Sequence, residues 1–206
     1  MGSVSNTRAW KVFYWNVRGL NSEGKWNSIR DKITESPADI VCLQETKKNP
    51  LIWLFIHKIC PSGFDAFEFL PSLGASGGVI TIWKSRFFTG FLTFRNEFGI
   101  SMEFKSLNNN ASWILTNVYG PCTPEGKRIF VHWLKNIQMP EDWDWLIVED
   151  FNLYRSPDNR NKHGGDIQEM FLFNEAINAQ GWVELSFHER KFTWTNKQES
   201  FFVGKS

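Results

Sequence analysis

Cysteine is scarce in this chain: Cys42, Cys60 and Cys122 are the only three in 206 residues. The count is odd and no two stand in a Cys-x-x-Cys spacing. A disulfide framework and a cysteine-held zinc are therefore not expected, and a reducing compartment suits the chain. Histidine is also sparse, and none of the four stands in a metal or triad spacing. Long apolar runs are missing. The longest cluster, residues 51–56, falls far short of the roughly 18 residues that a membrane span needs. The opening "MGSVSNTRAWKVFYW" has no apolar core of the signal-peptide kind. Asn6 stands where a myristoylation motif takes Ser or Thr. Charge of one sign is not in excess, with 23 Lys+Arg against 22 Asp+Glu. A nucleic-acid partner would then have to be met by a local basic patch. These absences lead us to expect an intracellular monomer, in nucleus or cytoplasm, with no membrane contact.

What the chain has in quantity is aromatic carbon, with 11 Trp and 19 Phe. It sits in short apolar runs separated by turn residues. "KVFYWNV", "DIVCLQET", "SGGVITIW", "FFTGFLTF", "ISMEFKSL", "SWILTNVYG" and "DWLIV" read as strands. "GFDAFEFL" alternates weakly, and "KFTWTN" at 191–196 reads as a last short strand. Three helices stand between them. One follows Ser22 as N-cap, one is opened by Thr123-Pro124, and one is capped by Asp166. Several strands are apolar on both faces, which calls for cover on both sides. The expected architecture is a layered α/β sandwich: two packed mixed β-sheets flanked by helices. A single domain over 8–199 is expected, with tails at 1–7 and 200–206.

Three of the apolar strands end in oxygen-bearing side chains. Asn16 ends the first and Gln44-Glu45 the second, while Asp150 and Asn152 follow "DWLIV". Taken singly, each is explained by turn formation. Taken together at strand ends, they are the donors a hard cation such as magnesium takes.

"YWNVRGLN", "IVCLQETK", "NVYGP", "EDFN" and "FTWTN" occur in one order over nearly the whole chain. In that order they resemble the endonuclease/exonuclease/phosphatase superfamily, with its DNase I-like fold. The likeness is strongest to the apurinic-type endonuclease domain of plant LINE-type, non-LTR retrotransposon polyproteins. The resemblance implies Mg²⁺-dependent hydrolysis of DNA phosphodiester bonds, with Mn²⁺ as a possible substitute. It implies that Glu45 binds the metal, assisted by Asn16. Asp150 would orient or deprotonate the attacking water, Asn152 would help hold the phosphate, and the Tyr119 hydroxyl would contact it. Thr193, Arg155 and Arg160 would lie by the bound strand.

The chain also departs from that pattern. Glu149 stands where the family usually has Gly, adding a negative charge beside Asp150; strand alternation would turn it to the opposite face. In "RSPDNRN", Asn159 replaces an acid. After "FTWTN" the family continues into an Arg-x-Asp-Arg strand and a Ser-Asp-His motif, and the 206 residues contain neither. The expectation is thus a C-terminally truncated domain, incomplete in its sheets, with little or no nuclease activity. "GKS" at the end is no P-loop, because Glu199 stands where that motif requires Gly. Two other readings compete: a phosphatase or RNA exonuclease of the same superfamily, and a non-catalytic nucleic-acid-binding remnant using "RNKHGG" and "HERKFTW".

Overall fold

The computed structural model describes residues 10–47, 53–72, 77–138, 143–157 and 166–183, and the backbone of 200–204. In chain order the elements are β1 (Trp10–Asn16), α1 (Glu23–Glu35), β2 (Ile40–Gln44), α2 (Trp53–Ile59), β3 (Ala66–Leu70), β4 (Val79–Trp83) and β5 (Phe88–Arg95). Then follow β6 (Gly99–Ser106), β7 (Ser112–Tyr119), α3 (Pro124–Asn136), β8 (Trp145–Asp150), α4 (Ile167–Ala179) and β9 (Ser200–Gly204). One sheet has the order β3-β4-β2-β1-β9 and the other β5-β6-β7-β8. Both are mixed: β1 runs parallel to β2, β7 runs parallel to β8, and the remaining neighbours are antiparallel. This is the expected α/β sandwich.

Three apolar layers follow from strand alternation. Trp10, Val12, Ile40, Cys42, Trp83, Phe104, Leu115 and Val148 fill the space between the sheets. Phe13, Val41, Leu43, Ile80 and Ile82 point the other way, onto Ile29 and Ile33 of α1 and Ile56 and Ile59 of α2. Val118 and Phe151 face Phe130 and Leu134 of α3 and Phe173 and Ile177 of α4. Aromatic edge-to-face contacts knit the middle layer, with Trp10 on Phe88 at 4.4 Å and Trp83 on Phe104 at 5.3 Å between ring centroids. Such pairs contribute about 0.5–1.5 kcal/mol each beyond burial.

Two details differ from the sequence reading. Helix α2 was not anticipated. It is seven residues long and opens on "WLFI", so no 3.6-residue period shows. Ser200–Gly204 was assigned to a tail, but its backbone pairs antiparallel along β1, from Tyr14↔Ser200 to Trp10↔Gly204. "SFFVG" is rich in strand formers, which fits that pairing. The strand expected at 191–196 lies outside the described residues.

The helix caps agree with expectation. Thr123 Oγ1 accepts from Gly126 N–H, and Asp166 accepts from Gln168 and Glu169 N–H. Ser22 occupies the N-cap of α1 without a side-chain capping bond.

Candidate active site

The polar residues named above sit where inward-facing positions run out of hydrophobic partners. On β7 the sequence of inward positions is Trp113, Leu115, Asn117, Tyr119; on β8 it is Leu146, Val148, Asp150. On β1 it ends in Asn16, and on β2 in Gln44. Because β1/β2 and β7/β8 are parallel pairs, Asn16 lies beside Gln44 and Tyr119 beside Asp150 in register. The carboxyl ends of both pairs therefore open at one edge of the sandwich, where α/β sheets place their sites.

Hydrogen bonds join the two sheets at that edge. Asn16 Nδ2 donates to Asp150 Oδ2. Just below, Gln44 Nε2 donates to Asn117 Oδ1 at 2.7 Å. Asn117 Nδ2 donates in turn to Ile80 O at 3.0 Å and Thr81 Oγ1 at 3.2 Å. Both amides are fully buried. Asp150 is also held by Asn152 N–H, at 3.3 Å from Oδ1. Asn152 Nδ2 donates to Gly120 O at 2.7 Å. Gly120 is required by close approach, since a Cβ there would lie 2.1 Å from Phe151 O.

Glu45 follows β2 and is held by its backbone. Gly19 N–H donates to Glu45 O at 2.6 Å, and the flanking Thr46 N–H donates to Gly78 O at 3.0 Å. Its carboxylate pairs with Lys47 Nζ at 2.7 Å.

The charges interact. Burial raises the Asp150 carboxyl above its ordinary range and the negative charge of Glu45 adds to this, while the Asn16 and Asn152 hydrogen bonds oppose it. Tyr119 is likewise pushed up, first by burial and then by Glu45, Cys122 and Asp150. Glu45, Tyr119 and Asp150 thus lie within electrostatic reach of one another. Lys25 is lowered by burial, reinforced by the neighbouring positive charges of Lys47 and Arg18 and opposed by Glu45. Among the described residues no set of three or more His, Cys, Asp and Glu forms a metal cage. The donors present are two carboxylates and an amide. They fit a hard divalent ion that keeps several of its waters, and do not fit a structural zinc.

Backbone geometry marks the same place. Five non-glycine residues among those described have positive φ, and four are at the site: Arg18 (51°), Glu45 (54°), Lys47 (53°) and Asn152 (53°). Asparagine takes this region readily, whereas Arg, Glu and Lys do so at a cost. Such outliers gather where a side chain has to be aimed. At Glu45 the left-handed turn breaks the strand alternation that would otherwise continue from Gln44.

Residues 13–200 match the Endonuclease/Exonuclease/phosphatase family. The chain belongs to that family. No curated protein matches it in sequence. Among solved structures, the AP endonuclease LMAP from Leishmania major superposes with a TM-score of 0.61 at 17% identity, over 84% of this chain and 67% of that one. The endonuclease domain of TRAS1, a telomere-specific non-LTR retrotransposon, gives 0.64 at 9% identity, over 94% and 84%. The Bacteroides thetaiotaomicron mannosyl-6-phosphatase Bt3783 gives 0.56 at 12%, over 94% and 85%. At these identities the likeness is one of fold.

Within this endonuclease/exonuclease/phosphatase fold, the structure brings together Asn16, Glu45, Tyr119, Asp150 and Asn152. Arg155 is tied to α4, its Nε donating to Asn174 Oδ1 at 3.0 Å and its carbonyl accepting from Asn174 Nδ2 at 2.8 Å. Arg160 and Thr193 lie outside the described residues, as do "RNKHGG" and "HERKFTW". Glu149 faces the helix layer: its Oε2 accepts from Phe151 N–H at 2.7 Å. Sequence reasoning passed over Arg18, Lys25 and Lys47, which line the rim, and Asn117 and Thr46 beneath it. A faint signal existed for two of them. Arg18 and Lys47 each stand two residues after a strand-end donor, in "NVR" and "ETK". The described histidines, His57 and His132, are exposed on the outer helices α2 and α3.

Proposed function

We propose that this site hydrolyses phosphodiester bonds in DNA with the help of a divalent cation, Mg²⁺ by the chemistry of its donors. The observation that carries the reading is the meeting of Asn16, Glu45, Tyr119 and Asp150 at one edge of the sandwich. They arrive from four strands, in a family whose shared chemistry is attack on phosphate esters. Glu45, with Asn16, would hold the ion, and the ion would offset negative charge on the phosphate and the leaving oxygen. Asp150 is half-buried and its carboxyl is raised, so it is a stronger base than an exposed aspartate and suits removal of a proton from water. Asn16 and the Asn152 N–H fix the direction of that carboxylate. Tyr119 stays protonated, because burial and the neighbouring acids disfavour its phenolate, and it can donate a hydrogen bond to phosphate. The likeness to TRAS1 and LMAP supports DNA as substrate, and the motif order supports a retroelement endonuclease of the LINE type.

The 206 residues contain no Ser-Asp-His motif, and neither described histidine approaches the site. A missing acid–base group costs roughly 10²–10⁴-fold, so these residues alone should nick slowly.

The test is nicking of supercoiled plasmid with Mg²⁺ by this chain, by Glu45→Ala, and by a version extended with Asp and Ser-Asp-His segments. Nicking that rises with the extension and vanishes in Glu45→Ala supports the proposal. Release of phosphate from a sugar phosphate with intact plasmid would move the assignment to a phosphatase, like the mannosyl-6-phosphatase Bt3783. Salt-sensitive DNA binding without cleavage in any version would leave only a nucleic-acid-binding role.

A further inference from the structure

The Glu45 carboxylate already carries a cation, the ammonium of Lys47 at 2.7 Å. Lys47 is not a loosely placed surface lysine. Its backbone has φ 53°, and its N–H donates to Gly77 O at 3.1 Å. Its stem runs over Gly19 so closely that a Cβ there would lie 3.3 Å from Lys47 Cδ. The Glu45 side chain is only 15% exposed. Among the described residues Lys47 is the cation in contact with it. Two acids in a partly desolvated edge repel one another until a positive charge arrives, and Lys47 supplies that charge within the chain.

We propose that Lys47 is a resident counter-cation that exchanges with the divalent ion on Glu45, leaving the carboxylate as the ion binds. This rests on the proposed role of Glu45 as metal-binding acid. An ammonium and a divalent ion on one carboxylate repel strongly in a site of reduced dielectric, so the two compete. The competition has a purpose in each state. Without metal, Lys47 offsets the Glu45 charge and preserves the turn. With metal, the freed ammonium joins Arg18 and Lys25 on the rim, where a substrate phosphate would approach.

The experiment is Mn²⁺ binding to the 206-residue chain, read by electron paramagnetic resonance of free Mn²⁺, alongside thermal melts with and without the ion. Variants are Lys47→Gln, Lys47→Arg, Lys25→Gln and Glu45→Gln. Exchange predicts that Lys47→Gln binds Mn²⁺ about three- to tenfold more tightly, since its competitor is gone. Lys47→Arg, which keeps the cation, stays within about twofold of the parent. Lys25→Gln removes the same charge without the contact and tightens binding less than Lys47→Gln, which separates exchange from general electrostatics. In the melts, Lys47→Gln is less stable than the parent without Mn²⁺ and gains more from it, by linkage. Equal or weaker binding by Lys47→Gln overturns the proposal and makes Lys47 a partner that shares the carboxylate with the ion. Mn²⁺ binding by the parent that persists in Glu45→Gln places the ion elsewhere and overturns it too. No binding by any chain sinks the metal reading of the site, and the exchange with it.

Discussion

Asn16 and Asp150 are 134 positions apart in the chain and share a hydrogen bond across the mouth of the sandwich. Asn16 ends a strand of the five-stranded sheet and Asp150 ends a strand of the four-stranded one. The bond ties the two sheets together at the point where the chemistry is proposed to occur. It also lowers the cost of leaving a carboxylate in a poorly solvated place, since the amide N–H favours the ionised form.

Asp150→Asn should separate function from stability. Asparagine keeps an oxygen for Asn16 Nδ2, gives up the acceptor of the weaker 3.3 Å bond from Asn152 N–H and removes a half-buried charge. Nicking should fall about 10²–10⁴-fold, while Tm should rise by roughly 2–4 °C for each kcal/mol recovered in a chain of this size. The pH dependence follows from the raised carboxyl. The folded state holds its proton above the unfolded value of about 3.9, so stability falls as pH rises through that window. The gap between variant and parent should therefore be absent near pH 3, open as pH rises through the folded value, and narrow again when Mg²⁺ is added. Melts across pH, with and without Mg²⁺, check this; a gap that is constant with pH defeats it.

The layers, and the strand ends at which Asn16, Gln44-Glu45 and Asp150 gather, were legible in the sequence because both depend on local pattern, whereas Tyr119 was singled out only by the family resemblance. Runs such as "DIVCLQ" declare buried strands, and the change from apolar to polar at Asn16, Gln44 and Asp150 shows where each strand leaves the core. Alternation permitted the outward orientation of Glu149 without deciding it, and its bond from Phe151 N–H is what places it on the helix side. The rim was not legible. Arg18, Lys25 and Lys47 converge only through left-handed backbone at Arg18 and Lys47 and the pairing of β1 with β2, and neither has a sequence signature. Asn117 lay inside "NVYGP", yet its partner Gln44 sits on the other sheet. A buried amide pair spanning 73 positions leaves no periodic trace. Helix α2 was missed because seven mostly apolar residues show no period.

Asn117→Ala tests the clip beneath the site. It removes two donated bonds and leaves the Gln44 Nε2 without its acceptor. Gln44 Oε1 already has no hydrogen-bond partner among the described residues. A loss of about 2–3 kcal/mol is expected in urea unfolding. The double variant Gln44→Leu/Asn117→Leu should lose clearly less than the sum of its single variants, because removing both polar partners avoids stranding either one. Additive losses would show that the pair does not act as a unit.

Glu149→Gly restores the residue usual in the family. Glu149 accepts the Phe151 N–H on the helix side of β8. The substitution should cost about 1 kcal/mol of stability, from the lost hydrogen bond and added backbone freedom. Nicking per folded molecule should stay within about twofold. A large gain in activity would mean that Glu149 does disturb the site.

Gly120→Ala and Gly24→Ala form a matched pair that asks whether the β7–β8 junction is what positions the chemistry. Gly24 lies in the first turn of α1, and a Cβ there meets nothing within 4 Å. Alanine is the better helix former, so Gly24→Ala should stabilise the chain by about 0.5–1 kcal/mol and leave nicking unchanged. Gly120 is the opposite case. Its N–H donates to Asp150 O at 2.7 Å, and its carbonyl accepts from Asn152 Nδ2. A Cβ there would meet the Phe151 backbone, at 2.1 Å from O, 2.6 Å from C and 2.9 Å from Cα. No rotamer change can relieve a clash with backbone, so the start of the 151–152 turn has to move away from β7. The expected cost is about 1–3 kcal/mol. The loss of nicking should exceed what the unfolded fraction explains, because Tyr119, Asp150 and Asn152 all flank the displaced contact and a shift of about 1 Å can cost roughly 100-fold. Urea unfolding and plasmid nicking on the same preparations decide the matter. Stability lost in proportion to activity would make Gly120 a packing residue, and activity lost well beyond stability would make the close approach of the two strand ends the device that aims Asp150.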